Sequence, residues 1–531
     1  MIYIKTDTSD YQKLMETYSI NSLLAKVLSA MKYDEHEIAS FFYPLTEFDL
    51  TEEVFEPIKI CLEKIKKENK KVFIFGDYDC DGICATTIVK KILDKMEIEN
   101  GFYIPDRFKE GYGLSQEKLE VAYKKGYEVL ITVDNGISSK EALQYAKEKS
   151  MISIVTDHHV IVDKVNSDYL LHPSLLSDDY RYLCGSGIVY LLACYLGLAD
   201  YSIAVLAMIA TIADVVALKG VNVKIVKDGL AYLNQGLYKN VLALDKFTIP
   251  VTEENVAFKI VPKINAVGRM ADIANVNNVV RFLLTDDVGE INSLAAQIIE
   301  VNNARLQLTN EQNELVKKEI DLNDNFNLIY LPELHEGLLG LIATRIADKT
   351  KKLTFVMTDS QNQIKGSGRS NGSIDILAIL EDFRVSTVAL GGHKQACGLT
   401  IETDMLDSFK EYLENRLNHH DNEAVEEYCE INSKDLTIEN LKELFSYRPF
   451  GQDRKLPLIK VTIEDIVEYT SLKNECQLKW KCKGLEFITF NNNKGYEYYK
   501  NLDKLEVYGY LQENNFYGKT TYQVLIREIL A

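Results

Sequence analysis

Three carboxylates spaced two residues apart, Asp77, Asp79 and Asp81, follow an apolar run in VFIFGDYDCDG at residues 72–82. If the chain stays extended beyond Gly76, all three side chains leave on one side. Anions that close repel one another unless a cation sits between them, and hard oxygen ligands at one sheet edge suit Mg²⁺ or Mn²⁺. The same residues also fit a polar turn and helix N-cap ahead of the apolar run Ile83 to Ile92. Further candidates are Asp134 in ITVDNG, Asp157, His158 and His159 in IVTDHH, and Asp214 in IATIADVVAL. Asp134 before Asn135 and Gly136 also reads as a turn. An acid inside the apolar stretch around Asp214 needs a cation or a local hydrogen bond. On an extended chain His158 and His159 point to opposite sides, so one can ligate a metal while the other reaches a phosphate or a neighbouring carboxylate. Asp157 is placed to orient an imidazole.

Bringing these residues together requires strands whose ends converge. From 71 to about 160 the pattern alternates: VFIFG, TTIVKKILDKM, ENGFYIP, EKLEVAYKKG, YEVLITVDNG, SKEALQYAKEKS, MISIVTDHH. That order predicts a doubly wound parallel sheet, which binds ligands beyond the carboxyl ends of its strands. The acids and histidines fall at those ends. Residues 1–70 read as an N-terminal helical segment without evident chemistry, and residues 71–288 as the catalytic domain. INSLAAQIIEVNNARLQLTNEQNELVKKEI has few breakers and predicts a long connecting helix over 289–322, followed by a smaller domain at 323–420. Residues 421–531 turn strand-rich with Gly and Asn turns, which suits a small barrel. There Lys479, Lys481 and Lys483 flank Trp480, the only tryptophan, and Tyr508, Tyr510, Phe516 and Tyr517 add aromatic faces. Bases stack on such faces at about 1–3 kcal/mol each, although some of these rings instead serve core or hairpin packing.

At 531 residues the chain has room for three or four domains. Its net charge of −19 disfavours indiscriminate nucleic-acid binding through the whole surface. A local basic groove is still compatible with it: between Leu341 and Ser370, Arg345, Lys349, Lys351, Lys352, Lys365 and Arg369 face only Asp348 and Asp359. Nine cysteines, an odd number without CxxC spacing, argue against a disulfide framework and a zinc site and for a reducing cytoplasm. The N-terminus lacks a signal-peptide pattern. The greasiest region, Ile188 to Leu218, is interrupted by Asp200 and Asp214, so no membrane span is expected.

GDYDCDG, PDRFKEGYG, ITVDNG and TDHH resemble the four ordered motifs of the DHH phosphoesterases. LCGSGIVY, IADVVAL, KINAVGRM, LHEGLLGLIATRIA, GSGRS, GGHKQACG and YRPFG extend the likeness from about residue 70 to the C-terminus. The resemblance implies an α/β chain: a parallel-sheet DHH domain, a smaller α/β DHH-associated domain joined by a long helix, and a C-terminal OB-like β-barrel. It implies Asp79, Asp81, Asp134, His158 and Asp214 as ligands of two divalent cations, Mn²⁺ or Mg²⁺, with Asp77 and His159 in or beside the shell. Two such cations about 3.5–4 Å apart ionise a water and stabilise the departing oxygen. Asp134 would bridge them and His159 would meet the scissile phosphate. The implied activity is 5′–3′ exonucleolytic degradation of single-stranded DNA to 5′-mononucleotides in repair and recombination.

By the same resemblance Arg107, Arg269, Ser367 and Arg369 recognise the terminal 5′ phosphate, His393 the phosphates near the cut, and Tyr112 lines the substrate site. The long helix would leave a cleft that admits one strand. A single-strand-binding protein or a helicase is the kind of partner implied. An oligonucleotide or cyclic-dinucleotide phosphodiesterase would use the same metal chemistry, and a non-catalytic single-strand-binding scaffold would not need the intact acids. Cys80, Cys84, Cys397 and Lys263 depart from the family pattern, and a cysteine between metal-binding aspartates suggests oxidant sensitivity.

Overall fold

The computed structural model describes the chain except residues 1, 51–52, 112, 248–249, 322–323, 371–373, 418–424, 465–467, 472–476, 483, 491–497, 499–503, 517–518 and 531. Two compact units form: Ile4–Ile299 with Glu427–Ala531, and Met1–Tyr3 with Glu300–Glu426.

In the first unit, Val72–Phe75 and Val129–Val133 are buried at every position, as strands covered on both faces must be. They belong to a five-stranded sheet in the order Asn100–Tyr103, Val72–Phe75, Val129–Val133, Ile152–Thr156, Tyr169–Leu171, with every pair parallel. The winding reverses between Val72–Phe75 and Val129–Val133, the switch point at which such sheets bind ligands. Asp77 and Asp134 follow those two strands directly. The helices Cys80–Lys95, Gln116–Lys124 and Lys140–Glu148 stand where the alternating pattern predicts them. The edge strand Tyr169–Leu171 has only three half-buried or buried residues and left no readable period in the sequence. The greasiest stretch becomes the helices Gly185–Tyr195 and Tyr201–Ala213, the second buried from Ser202 to Thr211. Among the described residues no helix is long and apolar enough to cross a membrane.

The C-terminal strands form one sheet in the order Ile2–Lys5, Val425–Glu430, Leu458–Glu464, Lys504–Phe516, Lys519–Ile529, Leu485–Thr489, Leu478–Cys482, Glu468–Ser471. Its apolar face packs against the N-terminal helices Ser22–Ala30 and Glu35–Phe42: Leu23, Leu24, Leu28 and Phe41 share one core with Trp480, Phe487, Leu505 and Val507. Within the segment 1–70, the helix Phe55–Lys67 behaves differently. Its Phe55 ring stacks on Tyr195 at 5.3 Å, against the parallel-sheet domain.

This packing corrects the stacking expectation for Trp480. Leu478, Trp480 and Cys482 alternate inward while Lys479 and Lys481 alternate outward, so the indole is 0% exposed and no base can reach it. Tyr508 is also buried, edge-on to Tyr428 at 5.1 Å. Half-buried Tyr510 accepts from Arg527 Nη1 at 3.1 Å. Lys483, Tyr517 and the side chain of Phe516 lie outside the described residues. Binding of a single strand is therefore expected to leave tryptophan fluorescence unchanged, while Trp480→Ala costs about 3–5 kcal/mol in a denaturant titration. Quenching by an oligonucleotide would contradict this placement.

The second unit carries a sheet in the order Ala389–His393, Ala396–Glu402, Gln363–Arg369, Thr354–Ser360, Asn327–Tyr330, antiparallel except for the last pair. Phe355, Ile364, Leu399, Phe409 and Leu413 form its core. The unbroken periodic run becomes a 29-residue helix, Val288–Val316, and the boundary between the units falls within it.

Candidate metal centre

The chain does not remain extended through all three aspartates. Asp79 is the N-cap of Cys80–Lys95, accepting from the backbone N–H groups of Asp81 at 3.0 Å and Gly82 at 3.1 Å. Asp81 lies in the first helical turn. The N-cap reading is therefore realised, and the turn redirects Asp81 toward the same place. Its two carboxylate oxygens accept from Gly185 N and Ser186 N, each at 2.7 Å, the free N–H groups that open the helix Gly185–Tyr195. Close packing here depends on absent side chains. A Cβ at Gly82 would lie 2.6 Å from Asp77 O, and one at Gly185 would lie 2.8 Å from Asp134 Cβ.

All seven of the residues expected in or beside the metal shell gather in overlapping sets. Asp77, Asp79 and Asp134 form one, Asp81, His158 and Asp214 a second, and Asp134, His158 and His159 a third, the ligand atoms of each lying within 4.8 Å of one another. His158 Nε2 is 3.1 Å from Asp134 Oδ1, 3.6 Å from Asp214 Oδ2 and 3.9 Å from Asp81 Oδ2. Asp77 Oδ1 is buried with no hydrogen-bond partner among the described residues. Carboxylates this crowded fit a divalent cation and little else.

His158 and His159 do not point to opposite sides. Their ring centroids are 4.5 Å apart. The chain turns after Thr156 because the Asp157 carboxylate gathers the N–H groups of Ile137 (3.1 Å), His158 (2.8 Å) and His159 (3.2 Å). Asp157 Oδ1 also meets His159 Nδ1 at 2.8 Å, the orienting contact the sequence suggests. A residue the sequence did not single out supports this turn. Buried His172 accepts from Ser174 N at Nδ1 (3.1 Å), which leaves its Nε2–H to donate to His159 O (2.8 Å). Asn265, within KINAVGRM, is a second such residue: its Oδ1 accepts from Cys80 N at 2.9 Å. The guanidinium of Arg107 lies over the Tyr78 ring at 5.1 Å, and the charge of Arg269 also acts on Tyr78. Tyr112 lies outside the described residues.

Burial, then mutual repulsion, raises the proton affinity of Asp77, Asp79 and Asp134, and pushes Asp214 up to about 8. Burial lowers His158 against the pull of Asp81. Burial opposes the charging of His159, but the hydrogen bond and charge of Asp157 prevail and raise it to about 8. Unfolded values are about 4 for the acid and about 6.5 for the imidazole. Both groups are raised on folding, so the stability they contribute is present at low pH and is lost as pH rises through about 8. In a chelator the melting temperature is expected to fall between about pH 6 and about pH 9, and Mg²⁺ should flatten that fall by replacing protons. Equal melting temperatures at both values without metal would contradict the crowding. The oxidant-sensitivity expectation is not met: Cys80 and Cys84 are buried, and the hydrogen bond between them, then burial, pushes the Cys80 thiol far up.

Family models match three segments: the DHH family N-terminal domain over residues 71–218, the DHHA1 domain over 323–419 and the RecJ OB domain over 429–528. The chain thus carries, in this order, segments similar to the DHH N-terminal, DHHA1 and RecJ OB domains. The DHH segment contains all of the clustered acids and histidines. The single-stranded-DNA-specific exonuclease RecJ of Bacillus subtilis is 28% identical over 555 residues, covering 99% of this chain and 70% of that protein. RecJ of Thermus thermophilus, crystallised with Mn²⁺, superposes with a TM-score of 0.85 at 23% identity over 100% of this chain and 79% of the other, a likeness of fold. A manganese-bound exonuclease RecJ matches at a TM-score of 0.62 and 29% identity over 71% of this chain and 97% of the other.

In the DHHA1 domain, strand register aligns Arg369 with Ala396 and Ala396 with His393, while Ser367 aligns with Gly398 and Gly398 with Gly391. Ser367, Arg369 and His393 therefore share one face of that sheet. Arg369 Nη1 donates to Ser367 Oγ at 3.0 Å, and His393 is exposed. The opposite face, with Gly368, Cys397 and Phe355, belongs to the core.

Proposed function

We propose that this chain is a metal-dependent 5′–3′ exonuclease that degrades single-stranded DNA to 5′-mononucleotides in DNA repair and recombination. The observation that carries this reading is the set of overlapping carboxylate and imidazole groups at the sheet's switch point, in a chain similar over 99% of its length to a single-stranded-DNA-specific exonuclease. Asp77, Asp79, Asp81, Asp134, His158 and Asp214 would hold two divalent cations, Mn²⁺ or Mg²⁺. When bound, such ions supply an ionised water and neutralise charge on the phosphoryl group and leaving oxygen.

The chain's own residues do the rest. Two backbone N–H groups fix the Asp81 carboxylate in one orientation. His159, raised to about 8 through Asp157, carries a proton at neutral pH and offers Nε2–H to a phosphate oxygen. Arg107 and Arg269, flanking Tyr78, supply cations for a terminal 5′ phosphate. In the smaller unit Ser367, Arg369 and His393 form a phosphate-binding face. Recognition of a terminal phosphate confines cleavage to chain ends. None of the eight described cysteines is in a disulfide, in keeping with work in the cytoplasm. A single-strand-binding protein or a helicase would present the strand.

The test is incubation with Mn²⁺ and end-labelled single strands, duplexes and dinucleotides. Mononucleotides released only from the 5′ end of long single strands support the reading. Turnover confined to dinucleotides would replace it with an oligonucleotide phosphodiesterase.

A further inference from the structure

The long helix Val288–Val316 changes character along its covered side. Ile291, Leu294, Ala295 and Ile298 are buried apolar residues, but from Asn302 to Asn313 the buried positions are Asn302, Arg305, Thr309, Gln312 and Asn313, before apolar Val316 closes the helix. Spacings of three and four place these on one face. Arg305 is the anomaly among them. It is 8% exposed, its Nη2 donates to Asn302 Oδ1 at 2.6 Å, and its Nε is buried with no acceptor among the described residues. No carboxylate among the described residues pairs with it. The charge acting on it is another cation, Arg345, on the helix Leu339–Thr350. Arg345 is exposed, donates through Nη1 to Asn310 Oδ1 at 3.1 Å, and also has no carboxylate partner among the described residues. All four residues lie in the smaller unit.

A buried guanidinium without a counter-charge is costly, and an orphaned buried donor calls for a specific explanation. Two guanidiniums that repel each other, steadied only by asparagine amides, make sense together when an anion lies against both. A planar fork suits phosphate oxygens, which it can meet with two parallel hydrogen bonds. We infer that Arg305 and Arg345, held by Asn302 and Asn310, form a phosphate-binding site that takes an internal phosphodiester of a single nucleic-acid strand. The inference rests on the nucleic-acid reading above, while its ligand chemistry is that of any phosphate. The site differs from the Ser367, Arg369 and His393 face in both its residues and its elements.

The experiment measures binding of oligo-dT and oligo-dA by the full chain in Ca²⁺, over a series of salt concentrations, for the parent, Arg345→Gln and Arg345→Lys. Arg345→Gln should weaken both strands alike and reduce the steepness of log K against log salt by about 0.7, the loss of one phosphate contact on a single strand. Arg345→Lys should restore the salt slope. Arg345 is exposed, so its variants test the site without disturbing the core, and Arg305→Lys serves as a second probe. A parallel arm titrates inorganic phosphate alone: protection against heating that Arg345→Gln abolishes, with strand binding unaltered, would assign the site to free phosphate and overturn the strand. Unchanged strand affinity, salt slope and phosphate protection would overturn the site. Failure of the exonuclease reading looks different: the parent would bind strands with this salt dependence but release no nucleotides in Mn²⁺.

Discussion

On the proposed two-cation reading, replacing Asp134 with asparagine is expected to lower turnover at least about a thousandfold, because a carboxylate that would hold the ions supports several kcal/mol of transition-state stabilisation. Asp134 belongs to two of the three ligand sets and stands 3.1 Å from His158. Its backbone has φ +58, a left-handed conformation that asparagine tolerates far better than most residues, so the substitution removes the charge and keeps the turn. The variant should also discriminate a chemical role from a structural one. Burial and the charges of Asp81 and Asp79 strain the folded carboxylate, so without metal the asparagine variant should melt no lower than the parent. With Mn²⁺ it should lose most of the parent's gain in melting temperature. Retained turnover would remove Asp134 from the mechanism, and a collapse of the metal-free melting temperature would make it a structural residue.

A loss of stability as large as that of Trp480→Ala is expected at Glu253. Its carboxylate, 4% exposed, accepts from Arg448 Nε at 3.0 and 3.1 Å and from Phe450 N at 2.8 Å. Arg448 reaches on to Glu513 at 3.2 Å. Removing the most buried of its partners leaves Arg448 with Glu513 and the more distant Glu254 and orphans Phe450 N, so Glu253→Ala should cost about 3–5 kcal/mol. Glu253→Gln, which keeps an acceptor for Phe450 N, should cost less. A denaturant midpoint unchanged in Glu253→Ala would show that Glu254 and Glu513 satisfy Arg448. The same strap runs on to Gln452, whose carbonyl accepts from Leu218 N at 2.9 Å. It thereby ties the segment following Asp214 to the C-terminal domain.

Much of the site could be read in the sequence because parallel strands announce their ends. VFIF and VLITV are continuous apolar runs, and the acids directly after them must lie on the sheet's carboxyl edge. The contacts that orient those acids could not be read. Gly185 and Ser186 are 104 and 105 residues from the Asp81 they hold, and no period or spacing encodes a helix N-terminus meeting a carboxylate at that separation. His172 carries the right chemistry but follows a strand of three residues, too short to stand out. Trp480 misled for a local reason: flanking lysines look like a nucleic-acid surface, yet strand alternation turns the residue between them into the core. The sharing of one core by the N-terminal helices and the last strands is a similar long-range event, decided by which apolar faces find each other. The long helix shows both sides of the matter. Its length followed from the absence of breakers, while its buried arginine emerged only with the tertiary structure.

Calorimetric titration of the metal-free protein with Mn²⁺ tests the central proposition most directly, since it counts ions without relying on a substrate. Two cations should bind per chain, with proton release because the crowded carboxylates give up protons as the ions enter, and Asp134→Asn should lose at least one of them. A parent protein that takes up a single ion, or none, would contradict the arrangement of these acids and imidazoles as a two-cation centre.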